Sequence, residues 1–285
     1  MASQRDIRRR IGAVKNIKQI TRAMQFVAAS KLKRAQDATL ASRPYSEKLD
    51  EVLADLAAVL GAEDHPLLAA RPEGGKRLII LITTDRGLAG PLNTNTIRFI
   101  SREITEDTGD LTLVTVGRKG RDAMRRAGVP LEAHFAGFGD RPTFAEVIPL
   151  ARLITDDYLA GKYAVVDIVY SRFVSTLTQK PESFRLLPVQ PASDADAGIP
   201  GNQFIFEPNA ATVLQQLLPR YVATRIFQAV LESKASEESS RMVAMKNATE
   251  NAEDLIEDLT LSYNKVRQSN ITREMIEIAS GANAR

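Results

Sequence analysis

Cysteine is absent from all 285 residues of the sequence. This absence excludes disulfides, thiol catalysis and cysteine-ligated metal sites, and it fits a reducing compartment. No apolar run reaches the ~18 residues that a membrane-spanning helix requires, so direct membrane insertion is not expected. The first twelve residues, MASQRDIRRRIG, carry charge where a signal peptide would need an apolar core. Secretion is therefore not indicated.

Helix-breaking residues are nearly absent from the last quarter of the chain. Between residues 209 and 278 the only proline is Pro219, and no glycine occurs before Gly281. Alanine, glutamate, methionine, lysine and leucine dominate, which predicts one long helix on the order of 100 Å in length. Such a helix exceeds the diameter of a globular domain, so its exposed faces require a partner; a helix in an ordinary bundle is the alternative. A three–four alternation predicts a seam facing one partner helix, made of Met242, Met245, Ala248, Ala252, Leu255, Leu259, Tyr263 and Val266.

A second long helix is predicted for residues 3–59. Ser3 is a suitable capping residue, and Asp6 lies three positions later, near the positive end of the helix dipole. Pro44 is expected to kink or interrupt this helix near Arg43. One predicted apolar stripe consists of Ile7, Ile11, Val14, Ile17, Ile20, Met24 and Val27.

The two predicted helices differ in charge, although the net charge of the chain is only +3. Residues 1–43 hold eleven basic and two acidic side chains, a balance of +9, whereas residues 232–277 hold ten acidic and six basic ones, a balance of −4. Opposite charges favour pairing of the two helices. A dense basic stripe is also compatible with nucleic-acid binding. The apolar stripe argues against that alternative, because one face of the helix is already committed to protein.

The middle of the chain alternates between apolar strands and helices, which predicts an α/β domain with a mainly parallel sheet covered on both faces. The last two strands are joined by a short connection and are expected to be antiparallel. Predicted strands are 77–84, 111–116, 131–135, 163–174 and 182–190, and predicted helices are 91–104, 118–127 and 143–159. The predicted divisions are an N-terminal helix at 1–60, a linker at 61–75, the α/β domain at 76–192, a loop and connection at 193–208, and a C-terminal helix at 209–285.

A domain of this kind is also compatible with an enzyme, so the loops after the strands are the places to search for a site. Loop 84–93 leads into a helix where a phosphate could bind, but it lacks the lysine and hydroxyl of a P-loop. For Asp85 and Arg86 an ordinary turn stabilised by an ion pair is the preferred interpretation. Loop 116–122 is basic, contains two glycines and is a weaker phosphate candidate. No catalytic set or metal cluster can be assembled, and a small-molecule enzyme with coiled-coil arms stays an alternative.

The end of the chain carries a specific family resemblance. Residues 271–284, ITREMIEIASGANA, resemble the C-terminal signature of the gamma subunit of F-type ATP synthases. The resemblance extends, in order, to residues 16–36, 84–93, 203–209, 235–252 and 261–272. It implies an antiparallel coiled coil of the terminal helices with an inserted Rossmann-like α/β domain. The lack of cysteine means that this chain cannot carry the dithiol switch of photosynthetic members.

The resemblance also implies a function, that of the central-stalk rotor of a bacterial F1Fo ATP synthase. Such a subunit couples proton-driven rotation of the membrane c-ring to ATP synthesis, or the reverse hydrolysis, in a ring of three alpha and three beta subunits. The implied partners are the alpha, beta, epsilon and c subunits, without nucleic acid. The implied location is peripheral, at the cytoplasmic face of the inner (plasma) membrane. No catalysis and no bound cofactor are expected of the chain itself, since Mg-ATP and ADP bind to alpha and beta.

Site residues follow from the resemblance, position by position, and fall into three groups. The first would contact the beta subunit as a polar catch and an apolar sleeve, the second would meet an acidic loop of the catalytic subunit, and the third would face the c-ring and epsilon. For the polar catch, a solvated helix face is the alternative. The groups are Arg267, Gln268, Thr272, Glu274, Ile276 and Ile278; Met24, Lys18 and Arg22; and Arg43, Tyr45, Phe204, Phe206 and Glu207.

Overall fold

The computed structural model describes residues 3–60, 65–69, 71, 75–107, 109–136, 138–190 and 206–282, with the backbone alone at 58, 59, 277 and 280–282. Phe204, most of the predicted linker and residues 193–205 of the predicted loop and connection lie outside these residues. The elements in chain order are α1 (Gln4–Leu60), β1 (Arg77–Ile82), α2 (Leu92–Glu106), β2 (Leu111–Val116), α3 (Arg118–Arg126), β3 (Leu131–Phe135), α4 (Phe144–Leu159), β4 (Val165–Phe173), β5 (Gln179–Leu187) and α5 (Ala210–Ala282).

The described residues fall into two compact units. Unit 1 contains residues 3–29 and 241–282, and unit 2 contains residues 30–240. The two long helices, α1 with 57 residues and α5 with 73, contribute to both units.

The five strands of unit 2 form one sheet in the order β3-β2-β1-β4-β5. Neighbouring strands are parallel except for β4 and β5, which are antiparallel. The central strand β1 is apolar because both of its faces are covered. Its alternate residues enter two different clusters: Leu78 and Ile80 pack with residues of α1, α4 and α5, whereas Ile79 and Leu81 pack with residues of α2 and α3. The predicted mainly parallel sheet with helices on both faces is confirmed.

Helix α1 continues through Pro44 without interruption, and a kink at this position, the other predicted outcome, stays a prediction. A proline inside a helix costs about 3 kcal/mol, because it removes one hydrogen bond and crowds the preceding turn. The segment after the proline offsets that cost: Leu49, Leu53 and Leu56 are buried in the core of unit 2, and each buried leucine contributes roughly 1.5–3 kcal/mol.

Two of the predicted helices, at residues 3–59 and 143–159, begin with capping contacts. The backbone N–H of Asp6 donates to the Ser3 hydroxyl at 3.2 Å, and the Ser3 N–H donates to the Asp6 carboxylate at 3.3 Å. At the start of α4, the Glu146 carboxylate accepts from the Thr143 backbone N–H at 2.7 Å and from its hydroxyl at 2.9 Å. Both arrangements satisfy N–H groups that a helix start leaves without intrahelical partners.

Candidate partner-binding surfaces

In unit 1, the beginning of α1 pairs with the later part of α5 through a seam that combines apolar side chains with three polar contacts. Contacting positions ascend along one helix as they descend along the other, so the pairing is antiparallel, as predicted. The contacts are Gln4 Nε2 to Tyr263 Oη at 3.1 Å, Lys18 Nζ to Glu253 Oε1 at 2.7 Å and Thr21 Oγ1 to Thr249 Oγ1 at 2.8 Å.

The seam of α5 differs from the predicted one at two positions: Thr249 is buried in place of the partly buried Ala248, and Ile256 replaces Leu255. Leu255 is 46% exposed, and the neighbouring Ile256 is the partly buried residue. With Ile256 in place, burial follows a regular four–three alternation through Met245, Thr249, Ala252, Ile256, Leu259, Tyr263 and Val266. The prediction chose Leu255 because it is apolar and lies three residues after Ala252.

The predicted apolar stripe of α1 is wrong, because its residues lie on two different faces of the helix. Lys18 and Thr21 take the seam positions after Val14, whereas Ile17 is 52% and Ile20 is 59% exposed. Val27, on the same side as Ile20, is also exposed. Contiguous exposed apolar side chains on a soluble protein typically mark an interaction site. This face of α1 is therefore a candidate surface for a partner.

The predicted acidic-loop group includes Lys18 of the seam and two residues that follow it on α1. Lys18 is paired with Glu253 inside the chain, Met24 is half-buried, and Arg22 is exposed. The hydrogen bond from Lys18, together with its charge and that of Arg22, lowers the pKa of the Glu253 carboxyl. Within this group, only Arg22 therefore presents an exposed cation. Lys18 already pairs with Glu253, which would compete with an acidic partner for its ammonium group.

Replacement of Lys18 with methionine is expected to return the pKa of Glu253 toward its ordinary value. A carboxyl whose pKa is depressed in the folded state stabilises the fold above its ordinary pKa, and this contribution is lost as the pH falls through the depressed value. The variant should consequently lose part of its acid dependence of unfolding. Titration of the Glu253 carboxyl carbon by NMR measures the shift. Lys15→Met is the control, since Lys15 is an exposed cation one turn earlier; an unchanged Glu253 pKa in Lys18→Met would contradict the assignment.

The predicted catch and sleeve residues all lie on the exposed surface of α5 within unit 1. The Thr272 hydroxyl donates to the backbone carbonyl of Gln268 at 2.9 Å, one turn earlier in the same helix. Ile276 and Ile278 are exposed together with Met275. Accessible polar groups beside exposed apolar side chains suit a partner contact. The assignment of that partner to the beta subunit stays a prediction.

The predicted c-ring and epsilon group belongs to unit 2. Arg43, Tyr45 and Glu207 are exposed, and Phe206 packs against the core. The guanidinium of Arg220 on α5 lies 5.7 Å from the centre of the Tyr45 ring. The structure thus brings Tyr45 of α1 beside α5, at a distance that a cation–π contact requires.

The basic loop 116–122 begins α3, and its backbone donors already have protein partners. Arg118 N–H donates to the Asp85 carboxylate at 3.0 Å, Lys119 N–H to the Thr84 carbonyl at 3.1 Å, and Gly120 N–H to the Thr83 hydroxyl at 2.8 Å. Asp85 occupies the position that an anion would take at a helix start. This geometry favours the structural interpretation of loops 84–93 and 116–122 over a phosphate site.

The buried charges of the sheet also have structural partners. Asp167 on β4 is buried and accepts hydrogen bonds from Arg77 and Arg185, each at 2.6 Å. The ring of His134 contacts the Thr115 hydroxyl through Nδ1 at 3.1 Å. Among the described residues no group of three or more histidine, aspartate or glutamate side chains could hold a metal ion.

Comparison with known proteins assigns the chain to a family. The sequence model of the ATP synthase family matches residues 3–284. The ATP synthase gamma chain of Pelotomaculum thermopropionicum is 47% identical over 284 residues, which cover 100% of this chain and 99% of the relative. The gamma chain of Dehalococcoides mccartyi strain CBDB1 is 48% identical over 290 residues, with coverage of 100% and 99%. The chain belongs to the ATP synthase gamma chain family.

Solved structures share the gamma chain fold. A chain of the Euglena gracilis mitochondrial ATP synthase rotor has a TM-score of 0.68 at 22% identity and covers 94% of this chain and 98% of its own length. A chain from the OSCP/F1/c-ring structure of the same enzyme has a TM-score of 0.70 at 21% identity, with coverage of 99% and 94%. At these identities the likeness concerns the fold, and it confirms terminal helices with an inserted five-stranded domain. No helix among the described residues of this gamma chain family member has the length and apolar content to cross a membrane.

Proposed function

We propose that this gamma chain family member is the central-stalk rotor subunit of an ATP synthase, which couples proton-driven rotation of a c-ring to ATP synthesis or the reverse hydrolysis. The single observation that carries the proposal is family membership over almost the whole chain, at 47–48% identity to curated gamma chains. The paired helices of unit 1 support it, because they supply a shaft rather than a catalytic cleft.

The mechanism follows from a mismatch of symmetry. One asymmetric shaft cannot make the same contacts with three equivalent catalytic subunits at once. In unit 1, the α1 side presents Ile17 and Ile20, while α5 contributes acidic side chains such as Glu253 and Glu257. Each shaft angle therefore favours a different conformation in each neighbour. Rotation shifts those populations in sequence, and nucleotide binding and release follow.

In this proposal, the partner subunits bind the nucleotide and carry out the reaction. Alpha and beta subunits bind Mg-ATP and ADP, and this chain contributes no catalytic residue and no cofactor. A beta-subunit loop forms hydrogen bonds with Arg267, Gln268, Thr272 and Glu274 at particular rotational angles. Ile276 and Ile278 rotate within an apolar surface of the surrounding subunits. Arg43 and Tyr45, with Glu207, face the c-ring and epsilon. The subunit is peripheral, at the cytoplasmic face of the inner membrane.

Co-assembly tests this function. The full chain is co-expressed with tagged alpha, beta and epsilon subunits of the same organism's ATP synthase, and omission of the chain is the control. We expect the chain to co-purify in a fixed ratio and to give steady Mg-ATP hydrolysis that the control lacks. A chain that neither co-purifies nor changes hydrolysis, or one that turns over a small molecule alone, would contradict the rotor proposal.

A further inference from the structure

Three buried serines occupy one face of α5 within unit 2 and donate their hydroxyls to other elements. They are spaced by three and four residues, so they lie on the same side of the helix. Their acceptors are carbonyls of the sheet domain that are 63 or more positions away in the chain. The bonds are Ser236 Oγ to Ser171 O at 2.8 Å, Ser239 Oγ to Thr176 O at 2.7 Å and Ser240 Oγ to Ala89 O at 2.7 Å.

This outward donation differs from that of the threonines on the same helix. Thr224, Thr260 and Thr272 donate to carbonyls of α5 itself, four residues earlier, at 2.8, 2.7 and 2.9 Å. Such local bonding is the ordinary behaviour of a hydroxyl inside a helix. The three serines instead link α5 to a different part of the fold.

The three acceptors belong to separate segments that are themselves fixed. Ser171 lies on β4, and its own hydroxyl contacts that of Thr96 on α2 at 2.7 Å. Thr176 lies in the β4–β5 turn, where its carbonyl also accepts from the side chain of Gln179 at 3.1 Å. Ala89 lies in the loop between β1 and α2, which a hydrogen bond from Asn93 to Thr84 closes. All three bonds therefore end on segments that are themselves hydrogen-bonded within the sheet domain.

We propose that Ser236, Ser239 and Ser240, here called the serine joint, are positioning residues that fix the rotational angle of α5 against the sheet domain and so transmit torque between them. This inference rests on the proposed rotor function. The free energy of apolar burial is non-directional. Hydrogen bonds are directional and weaken steeply when bent, so three of them with separated acceptors define one angle. Helix α5 continues from the joint to Ala282, and torque passes along it.

The test distinguishes a loss of torque transmission from a loss of folding stability in the assembled ATP synthase. A variant with Ser236→Ala, Ser239→Ala and Ser240→Ala is reconstituted with its complex into vesicles, and ATP-driven proton pumping is measured per ATP hydrolysed. We expect this ratio to fall about threefold or more, since three directional hydrogen bonds are removed. Thr224→Ala with Thr260→Ala is the matched control, because it removes hydroxyls of the same helix that bond only within it.

Val147→Ala distinguishes the loss of the serine joint from a general loss of core packing. Val147 is fully buried in the core of unit 2 on α4, and its truncation should lower the melting temperature without changing the pumping ratio. An unchanged ratio in the triple variant, or an equal fall in Val147→Ala at a matched melting temperature, would overturn the inference.

Two further outcomes, failed assembly of the triple variant and failure of the proposed function, can be told apart. If the triple variant does not assemble, Ser239→Ala alone should still lower the ratio measurably, and a normal ratio there overturns the joint. If the unaltered chain supports no pumping, the proposed function fails instead.

Discussion

Gly117→Ala is expected to destabilise unit 2 by about 4 kcal/mol. Gly117 has φ of +94°, which an alanine adopts at a cost of roughly 1–3 kcal/mol. A Cβ at this position would lie 2.1 Å from the carbonyl oxygen of Thr83. Backbone atoms at the end of a central strand cannot move away easily, and overpacking of this kind adds about 1–3 kcal/mol. Thermal or urea unfolding of the full chain measures the change.

Two other glycines separate conformational strain from overlap. Gly128 has φ of +73° but no atom within 4 Å of an added Cβ, so Gly128→Ala should show the strain alone, about 1–2 kcal/mol. Gly139 has open space and no left-handed backbone, and Gly139→Ala should be within roughly 0.5 kcal/mol of the unaltered chain. If Gly117→Ala were no worse than Gly128→Ala, the close approach of Thr83 would not be what fixes this glycine.

The sheet domain was predictable because its signals are local. The buried strand 111–116 consists only of leucine and β-branched residues, and its predicted bounds agree with β2. The bounds of β3 were also predicted. Strand β5 begins earlier than predicted, at Gln179, because its first residues pair with the end of β4 rather than with the core. Composition does not reveal such polar pairing.

Helix register was not predictable from spacing alone. After Val14, the helical spacing of three or four residues can continue through Ile17 and Ile20. It can equally continue through Lys18 and Thr21. The structure selects the second path because Glu253 and Thr249 of α5 offer partners to Lys18 and Thr21. A partner 228 or more positions away cannot be read from the local apolar pattern.

The candidate sites divide in the same way. The catch and sleeve residues were assigned by family resemblance, and the structure adds that they are exposed. The serine joint was not predicted: the sequence marks Ser236, Ser239 and Ser240 only as hydroxyls within a helix. Their signal, a cluster of serines inside a strongly helical segment, becomes informative only when the carbonyls of Ser171, Thr176 and Ala89 are known to face them.

Gln268→Leu and Thr272→Val are each expected to lower ATP hydrolysis by the assembled complex about tenfold, while leaving this subunit folded. Both side chains are exposed, so their replacement should change the stability of the free chain by no more than roughly 0.5 kcal/mol. Under the proposed catch assignment, each change would remove one hydrogen bond to a beta-subunit loop and would place an apolar group against a polar one. A loss of ~1.4 kcal/mol at the rate-limiting angle corresponds to the tenfold effect.

The matched controls lie on the same helix outside the proposed catch. Thr260 is exposed and donates to its own helix at 2.7 Å, as Thr272 does at 2.9 Å, so Thr260→Val repeats the chemical change at another place. Asn251 is also exposed, and Asn251→Leu serves as the control for Gln268→Leu. Hydrolysis rates and unfolding of the free subunit are measured together for all four variants. Normal rates in Gln268→Leu and Thr272→Val would refute the catch assignment, because an exposed helix face that touches no partner tolerates such changes.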